Sequence, residues 1–369
     1  MKLTKAQWYN NAQAAVVLTL DDLSYGYLDP MGTGLSPAND WGYGCRRENS
    51  IFRYFETQLL ARFPEIRYTV FVPFGKHAIG MVDSGHTGHA GDIYESEEFG
   101  RLLRHIVDTG NEIAYHGHHH GRRNPTVDPR TWREEDRDYT PEAYRELVRA
   151  DVTRIRGELG IEVRGGRSPA YLTGPALAEA IGSGLFRWWS FDFTPYESPL
   201  GYRDRVLAMP SNISGDEFRR RPGQLRTLVR HWHVERALAR LVEQRSVISV
   251  AEHFLSSRTD GRRQSPNVFD DLGSLERIFG LLRGMPLWYA TCSEIARYRE
   301  CYDHMELAPQ ADGSVELTYC GSEPQPSVTL TGPERALVEV RTGVLHRGQY
   351  RAGVWVFNNI GPGHYRVAG

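Results

Sequence analysis

Nine residues, Glu112-Ile113-Ala114-Tyr115-His116-Gly117-His118-His119-His120, run from a short apolar segment into four histidines. Imidazole is a ligand for first-row divalent metals. His116 and His120 are four apart, and at that spacing two side chains share a face if the backbone makes one helical turn between them. Two imidazoles on one face can clamp an ion. Chemistry would further require a third ligand and an open position for water. A histidine-rich surface loop is the alternative reading of the cluster alone.

A source for the third ligand lies near the N-terminus. Residues 14–20 (AAVVLTL) are continuously apolar with β-branched members and end in Asp21-Asp22. Such a run predicts a strand buried on both faces, as in a parallel sheet. Two carboxylates at the end of so apolar a strand are costly unless each meets a cation. In α/β barrels the C-terminal ends of strands are where active sites form. A helix cap or turn is the ordinary alternative for an aspartate pair.

The elements that must position these groups follow from periodicity. Further strands are predicted at 68–74, in the run leading into the histidines, and at 163–169, 187–192, 247–254 and 286–291. Helices are predicted at 51–63, 97–108, 140–159, 174–181, 225–244, 270–283 and 293–299. Thr140 followed by Pro141 reads as a cap and first turn, and Gly110-Asn111 as a stop. Segments 23–46, 75–95, 121–139 and 194–224 read as loops. About seven strand-helix alternations predict a parallel barrel or a wound sheet. Asp21, Asp22, His116, Arg167, Asp192 and His253 then all fall at C-terminal ends of strands. Scattered structural residues would have no reason to gather on one face. From about residue 303 short strands with Gly/Pro turns, at 315–319, 336–341, 350–357 and 364–367, predict a small β-rich unit. The expected division is therefore 1–302 and 303–369.

Composition narrows the classes. The chain has 369 residues and a net charge of −2, which gives no pointer to nucleic acid. The four cysteines form no CxxC pair and so offer no thiolate metal site. The first fifteen residues lack an apolar leader core and no apolar run is long enough to span a membrane, so a cytoplasmic location is expected.

The ordered motifs resemble the polysaccharide deacetylases, carbohydrate esterase family 4 with its NodB-homology domain. Thr19-Leu20-Asp21-Asp22 is similar to the family's TFDD motif, and Glu112 to His120 to its EI-x-x-H-x-x-x-H motif. Gly166-Arg167-Ser168-Pro169 resembles its RxP motif, Trp189-Ser190-Phe191-Asp192 its WSxD motif, and 248–253 its closing strand with a late histidine. The resemblance covers roughly residues 14–300. It departs from the pattern at Leu20, Leu23, Ala170 and Ala251.

The resemblance implies a distorted (β/α)7 barrel with the C-terminal β-rich unit added. It implies a divalent metal on Asp22, His116 and His120, zinc first, with cobalt, nickel or manganese as alternatives. It implies Asp21 as general base beside Arg167, His253 as general acid oriented by Asp192, and a backbone N–H of Ala170 or Tyr171 facing the oxyanion. The implied reaction removes an acetyl group from the nitrogen of an amino sugar or related glycan. Two other readings stay open: an allantoinase-like cyclic-amide hydrolase of the same superfamily, and a non-catalytic carbohydrate-binding relative.

Several residues have no place in that scheme. Trp41, Tyr43, Trp188 and Trp189 could stack on a sugar or pack the core. His118 and His119 could point away from the ion. The run His86-x-x-His89-x-x-Asp92 could bind metal or belong to a Gly-rich surface loop. Arg219, Arg220, Arg221, Arg226 and Arg230 could line a solvated helix or meet a phosphate on the substrate.

Overall fold

The computed structural model describes residues 3–29, 31–77, 87–120, 139–203, 205–219, 224–257 and 262–367, the side chains of 87 and 224–226 excepted. His86, Arg220, Arg221, the side chain of Arg226 and residues 121–138 lie outside these, so the readings placed on them have no structural counterpart here.

The central sheet contains β1 (Ala15–Asp21), β2 (Tyr68–Val72), β3 (Glu112–Tyr115), β4 (Gly165–Arg167), β5 (Trp188–Ser190), β6 (Val206–Ala208), β7 (Ile213–Ser214), β8 (Val247–His253) and β9 (Trp288–Tyr289). Its order is β7-β8-β1-β2-β3-β4-β5-β6, all parallel, with Gly201–Arg203 added antiparallel beside β6. The two edges meet where Phe193, just past β5, bridges Ser211, just before β7. The run 206–214 therefore lies against β5 at its start and β8 at its end, and it closes the sheet into a distorted barrel.

That run is a stave within 194–224, a stretch whose sequence predicts a loop. Pro210, with no N–H to give a ladder, falls between the two short pairings and hides them from periodicity. The predicted strand at 286–291 is reduced to β9, which pairs only with Ala15 and Val16 at the foot of β1, while β2 takes Leu18 to Leu20.

Side chains alternate along a strand, and β1 uses both faces. Val16, Leu18 and Leu20 join the core between sheet and helices, each contributing about 1.5–3 kcal/mol by burial. Ala15 and Val17 point into the barrel, where Trp8, Phe71, Trp188 and Leu207 fill its lower half. Thr19 and Asp21 stand above them on the same face. Trp188 and Trp189 are fully buried, so both pack the core and neither offers a ring to a sugar. Gly165 makes room for this, since a Cβ there would sit 2.1 Å from the Trp188 ring.

The outer layer is α1 (Ile51–Phe55), α2 (Glu97–Asp108), α3 (Pro141–Leu159), α4 (Pro175–Ala180), α5 (Gln224–Glu243), α6 (Val268–Leu282) and α7 (Cys292–His304). Thr140 caps α3 by accepting from the Ala143 N–H at 3.3 Å, as expected from its sequence. Glu112 is buried and takes hydrogen bonds from Thr69 and from the Ser293 N–H at the start of α7, where a carboxylate also suits the helix dipole. The glutamate of the EI-x-x-H run is thus an anchor for the last helix.

Residues 305–367 form two antiparallel sheets. Met305–Pro309, Val315–Tyr319, Gly363–Val367, Ala336–Glu339 and Leu345–Arg347 make one. The other holds Val328–Gly332, Val354–Ile360, Gln349–Arg351 and, from the other end of the chain, Thr4–Lys5. Among the described residues no helix is long and apolar enough to cross a membrane.

Candidate metal centre and active site

Adjacent residues of a strand point to opposite faces, so Asp21 and Asp22 could not both enter the barrel if β1 simply continued. The backbone turns instead. Asp22 has φ 67°, in the left-handed region that aspartate tolerates better than most residues, and both carboxylates are almost completely buried.

The histidines converge by a different route from the one expected. No helical turn links them: β3 stops at Tyr115 and the chain bends through Gly117 (φ 80°) and His120 (φ 65°). His116 Nε2 then lies 3.4 Å and His120 Nε2 3.2 Å from the same oxygen, Asp22 Oδ1. These three residues form the one group among the described residues able to hold a metal ion, their ligand atoms all within 4.8 Å of one another. His77, from the segment after β2, was passed over in the sequence; its Nε2 also approaches Asp22 Oδ1, at 3.4 Å.

The donor chemistry fits a divalent metal. His116 Nδ1 donates to the Arg167 carbonyl at 2.9 Å, which leaves the Nε2 lone pair facing the centre, as in a metal-bound imidazole whose other nitrogen is held by a carbonyl. Burial alone would raise the Asp22 carboxyl, but His120, His116 and His77 outweigh it and hold it well below the usual carboxylate value. Burial pushes His120 well below the usual imidazole value. His116 is also lowered by burial, yet Asp21 and Asp22 more than reverse this and leave it raised.

Asp21 meets its cation. Arg167 Nη1 donates to Asp21 Oδ1 at 2.7 Å. The same guanidinium reaches Thr19 Oγ1 at 3.1 Å and Ser190 Oγ at 3.3 Å, and lies over the Phe71 ring at 4.2 Å. Tyr171 joins through its hydroxyl, 2.7 Å from Ser211 Oγ. On the other side of Asp21, His253 Nε2 stands 3.9 Å from Oδ2.

Three expectations change. Asp192 does not orient His253: its side chain is 68% exposed and lies 3.9 Å from Arg203, while His253 Nδ1 donates to the Pro266 carbonyl at 2.8 Å. β5 ends at Ser190, and the two residues beyond it carry Asp192 to the outside. The Tyr171 N–H is used by a tight turn to the Ser168 carbonyl, which leaves Ala170 as the remaining candidate donor. Trp41 is fully buried beside Leu28 and Leu255, its ring 6.0 Å from His77, so it walls the site and offers no stacking face.

The unassigned residues find ordinary partners. His118 Nδ1 lies 3.0 Å from Asp151, to which Tyr115 also donates, and His119 Nδ1 donates to the Lys76 carbonyl. His89 faces Glu95 at 3.2 Å, and Asp92 accepts from the Tyr94 N–H. Arg219 grips Asp271 with two nitrogens and Arg230 pairs with Glu217.

No protein-family model matches the chain, and neither does any curated protein. Solved structures resemble it at a distance. One described as a polysaccharide deacetylase from Mycobacterium smegmatis is 18% identical, with 82% of this chain and 96% of that one covered and a TM-score of 0.46. A second of that description, from Pseudomonas aeruginosa, is 18% identical over 80% and 93% with a TM-score of 0.47. A structure of an allantoinase is 16% identical over 80% and 92% with a TM-score of 0.46. These are distant likenesses of fold, and the functional reading rests on the residues above.

Proposed function

We propose that the protein is a metal-dependent amide hydrolase that removes the acetyl group from an acetylamino sugar or related glycan. Asp22, His116 and His120 would hold the ion, zinc first among zinc, cobalt, nickel and manganese. When bound, the ion supplies a Lewis acid that acidifies water and polarises the amide carbonyl. The observation that carries the reading is the placement of Asp21 beside that centre, between Arg167 and His253.

The chain's own residues account for the proton movements. Asp21 accepts a proton from the attacking water, its charge balanced by Arg167. A C–O bond forms at the carbonyl carbon, and the Ala170 N–H helps to hold the developing oxyanion. His253 delivers a proton to the amide nitrogen as the C–N bond breaks, with the Pro266 carbonyl fixing its ring. Acetate and a free amine leave. Residues 1–302 would carry this reaction and 303–369 would be an accessory unit.

The test is acetate release from a panel of N-acetylated sugars and sugar nucleotides, with zinc, cobalt or nickel added and Asp21→Asn as control. Metal-dependent release that the substitution abolishes supports the proposal. Ring opening of a cyclic amide without acetate from any sugar would replace it with the allantoinase-like reading. Glycan binding without turnover would replace it with the binding reading.

A further inference from the structure

His77, His118 and His119 lie near the centre without a place in the motifs, and of these three His77 is the one that approaches a proposed ligand. Its ring is 1% exposed, its Nε2 is 3.4 Å from Asp22 Oδ1, and it stacks on His120 at 4.6 Å with an interplanar angle of 20°. The ends of three neighbouring strands thus converge on one carboxylate oxygen: β1 through Asp22, β2 through His77, and β3 through His116 and His120.

We infer that His77 is a positioning residue of the metal centre, acting by a hydrogen bond from Nε2–H to the Asp22 carboxylate. This rests on the metal-dependent reading above. His77 lies outside the set whose ligand atoms are all within 4.8 Å of one another, so it reaches the ion through Asp22 and not as a fourth ligand. An ionised carboxylate can only accept, which sets the direction of the bond. Asp22 needs such a partner. It is the first residue past its strand, in a left-handed conformation, and a carboxylate free to rotate there would present its lone pairs to an ion only part of the time. Hydrogen bonds to a ligating carboxylate fix the ligand's direction, as those to ligating histidines do.

Two substitutions separate the hydrogen bond from the packing. His77→Phe keeps a ring against His120 and removes the donor. His77→Gln places an amide N–H near the position of Nε2 and removes the stack. Zinc dissociation constants are measured on the full chain by competition with a chelating dye. Loss of the donor in His77→Phe weakens binding by ~10–100-fold, the usual effect of losing a hydrogen bond to a metal ligand, while His77→Gln stays within about threefold of wild type. Cobalt-loaded protein adds a spectroscopic readout. The visible d–d band keeps its wavelength in both variants at saturation, because the ligand set is unchanged.

Wild-type affinity in His77→Phe would reduce His77 to packing and overturn the inference. A shifted cobalt band in both variants would make His77 a ligand and overturn it in the other direction. If the wild-type chain takes up neither zinc nor cobalt, the metal-dependent reading fails and the inference fails with it, a result distinct from either of these.

Discussion

Asp21 and His253 are register partners on the neighbouring parallel strands β1 and β8, and their side chains face each other with Oδ2 and Nε2 3.9 Å apart. Two groups fixed opposite one another at the ends of hydrogen-bonded strands cannot drift apart without breaking the ladder, which suits the proton transfers proposed for them. Removing either should therefore cost turnover and leave the metal in place. Asp21→Asn and His253→Gln are each expected to lower kcat by ~10²–10⁴-fold. The double variant should be little worse than the poorer single, as for groups that act in one step. Metal content measured alongside should remain that of the wild type; its loss in Asp21→Asn would instead make Asp21 a ligand.

Arg167 holds Asp21 at 2.7 Å with both side chains buried. Deleting one partner of such a pair leaves an uncompensated charge, at a cost of about 3–5 kcal/mol. Arg167→Met should show that loss in urea denaturation. Adding Asp21→Asn to it should recover a large part, because the charge that Arg167 neutralised is gone. Additive losses in the double variant would show that Arg167 stabilises the fold through Thr19 and Ser190 and not through Asp21.

Asp192 separates what the sequence resemblance implies from what the structure places. The resemblance makes it the partner of His253, whereas the structure puts it outside against Arg203 and gives His253 the Pro266 carbonyl. Asp192→Ala is accordingly expected to change kcat/KM by no more than about twofold. A fall of ~10²-fold, the scale of an impaired general acid, would restore the Asp192–His253 pairing in the working enzyme.

The same contrast shows how far the site was legible. Asp21, Asp22, His116 and His253 could be picked out because each falls at the end of a strongly apolar strand, and Arg167, which ends the Gly-Gly-Arg strand, because of the Arg-x-Pro motif. Direction beyond a strand end carries no such pattern. Nothing in the order of residues says that Asp22 turns left-handed, that Gly117 and His120 bring two imidazoles together without a helix, or that Asp192 swings outward. His77 was missed for a related reason: a lone histidine in a Gly-Lys-His loop has no spacing partner, and its position past the end of β2 was the only signal. In the fold, the stave at 206–214 was hidden by Pro210, and Thr4–Lys5 is too short for any period to register.

Behind the site, Glu252 occupies the outward face of β8 next to His253. Its carboxyl is fully buried; among the described residues Oε1 has no hydrogen-bond partner and Oε2 accepts only the His253 N–H at 3.3 Å. Burial is the main cause that raises it well above the usual glutamate value, and the nearby charge of Asp271 adds to this. The native state therefore holds this proton more tightly than the unfolded chain does. That contribution to stability is complete below the unfolded value of about 4.5 and is lost as pH rises through the raised native one. Glutamine has nearly the same shape and no proton to lose. Glu252→Gln should thus melt close to wild type in mild acid and progressively above it as pH increases toward and beyond neutrality. Tm measured in parallel across that range gives the comparison. A constant offset between the two proteins at every pH would show that Glu252 does not titrate on unfolding and that its burial is tolerated by packing alone.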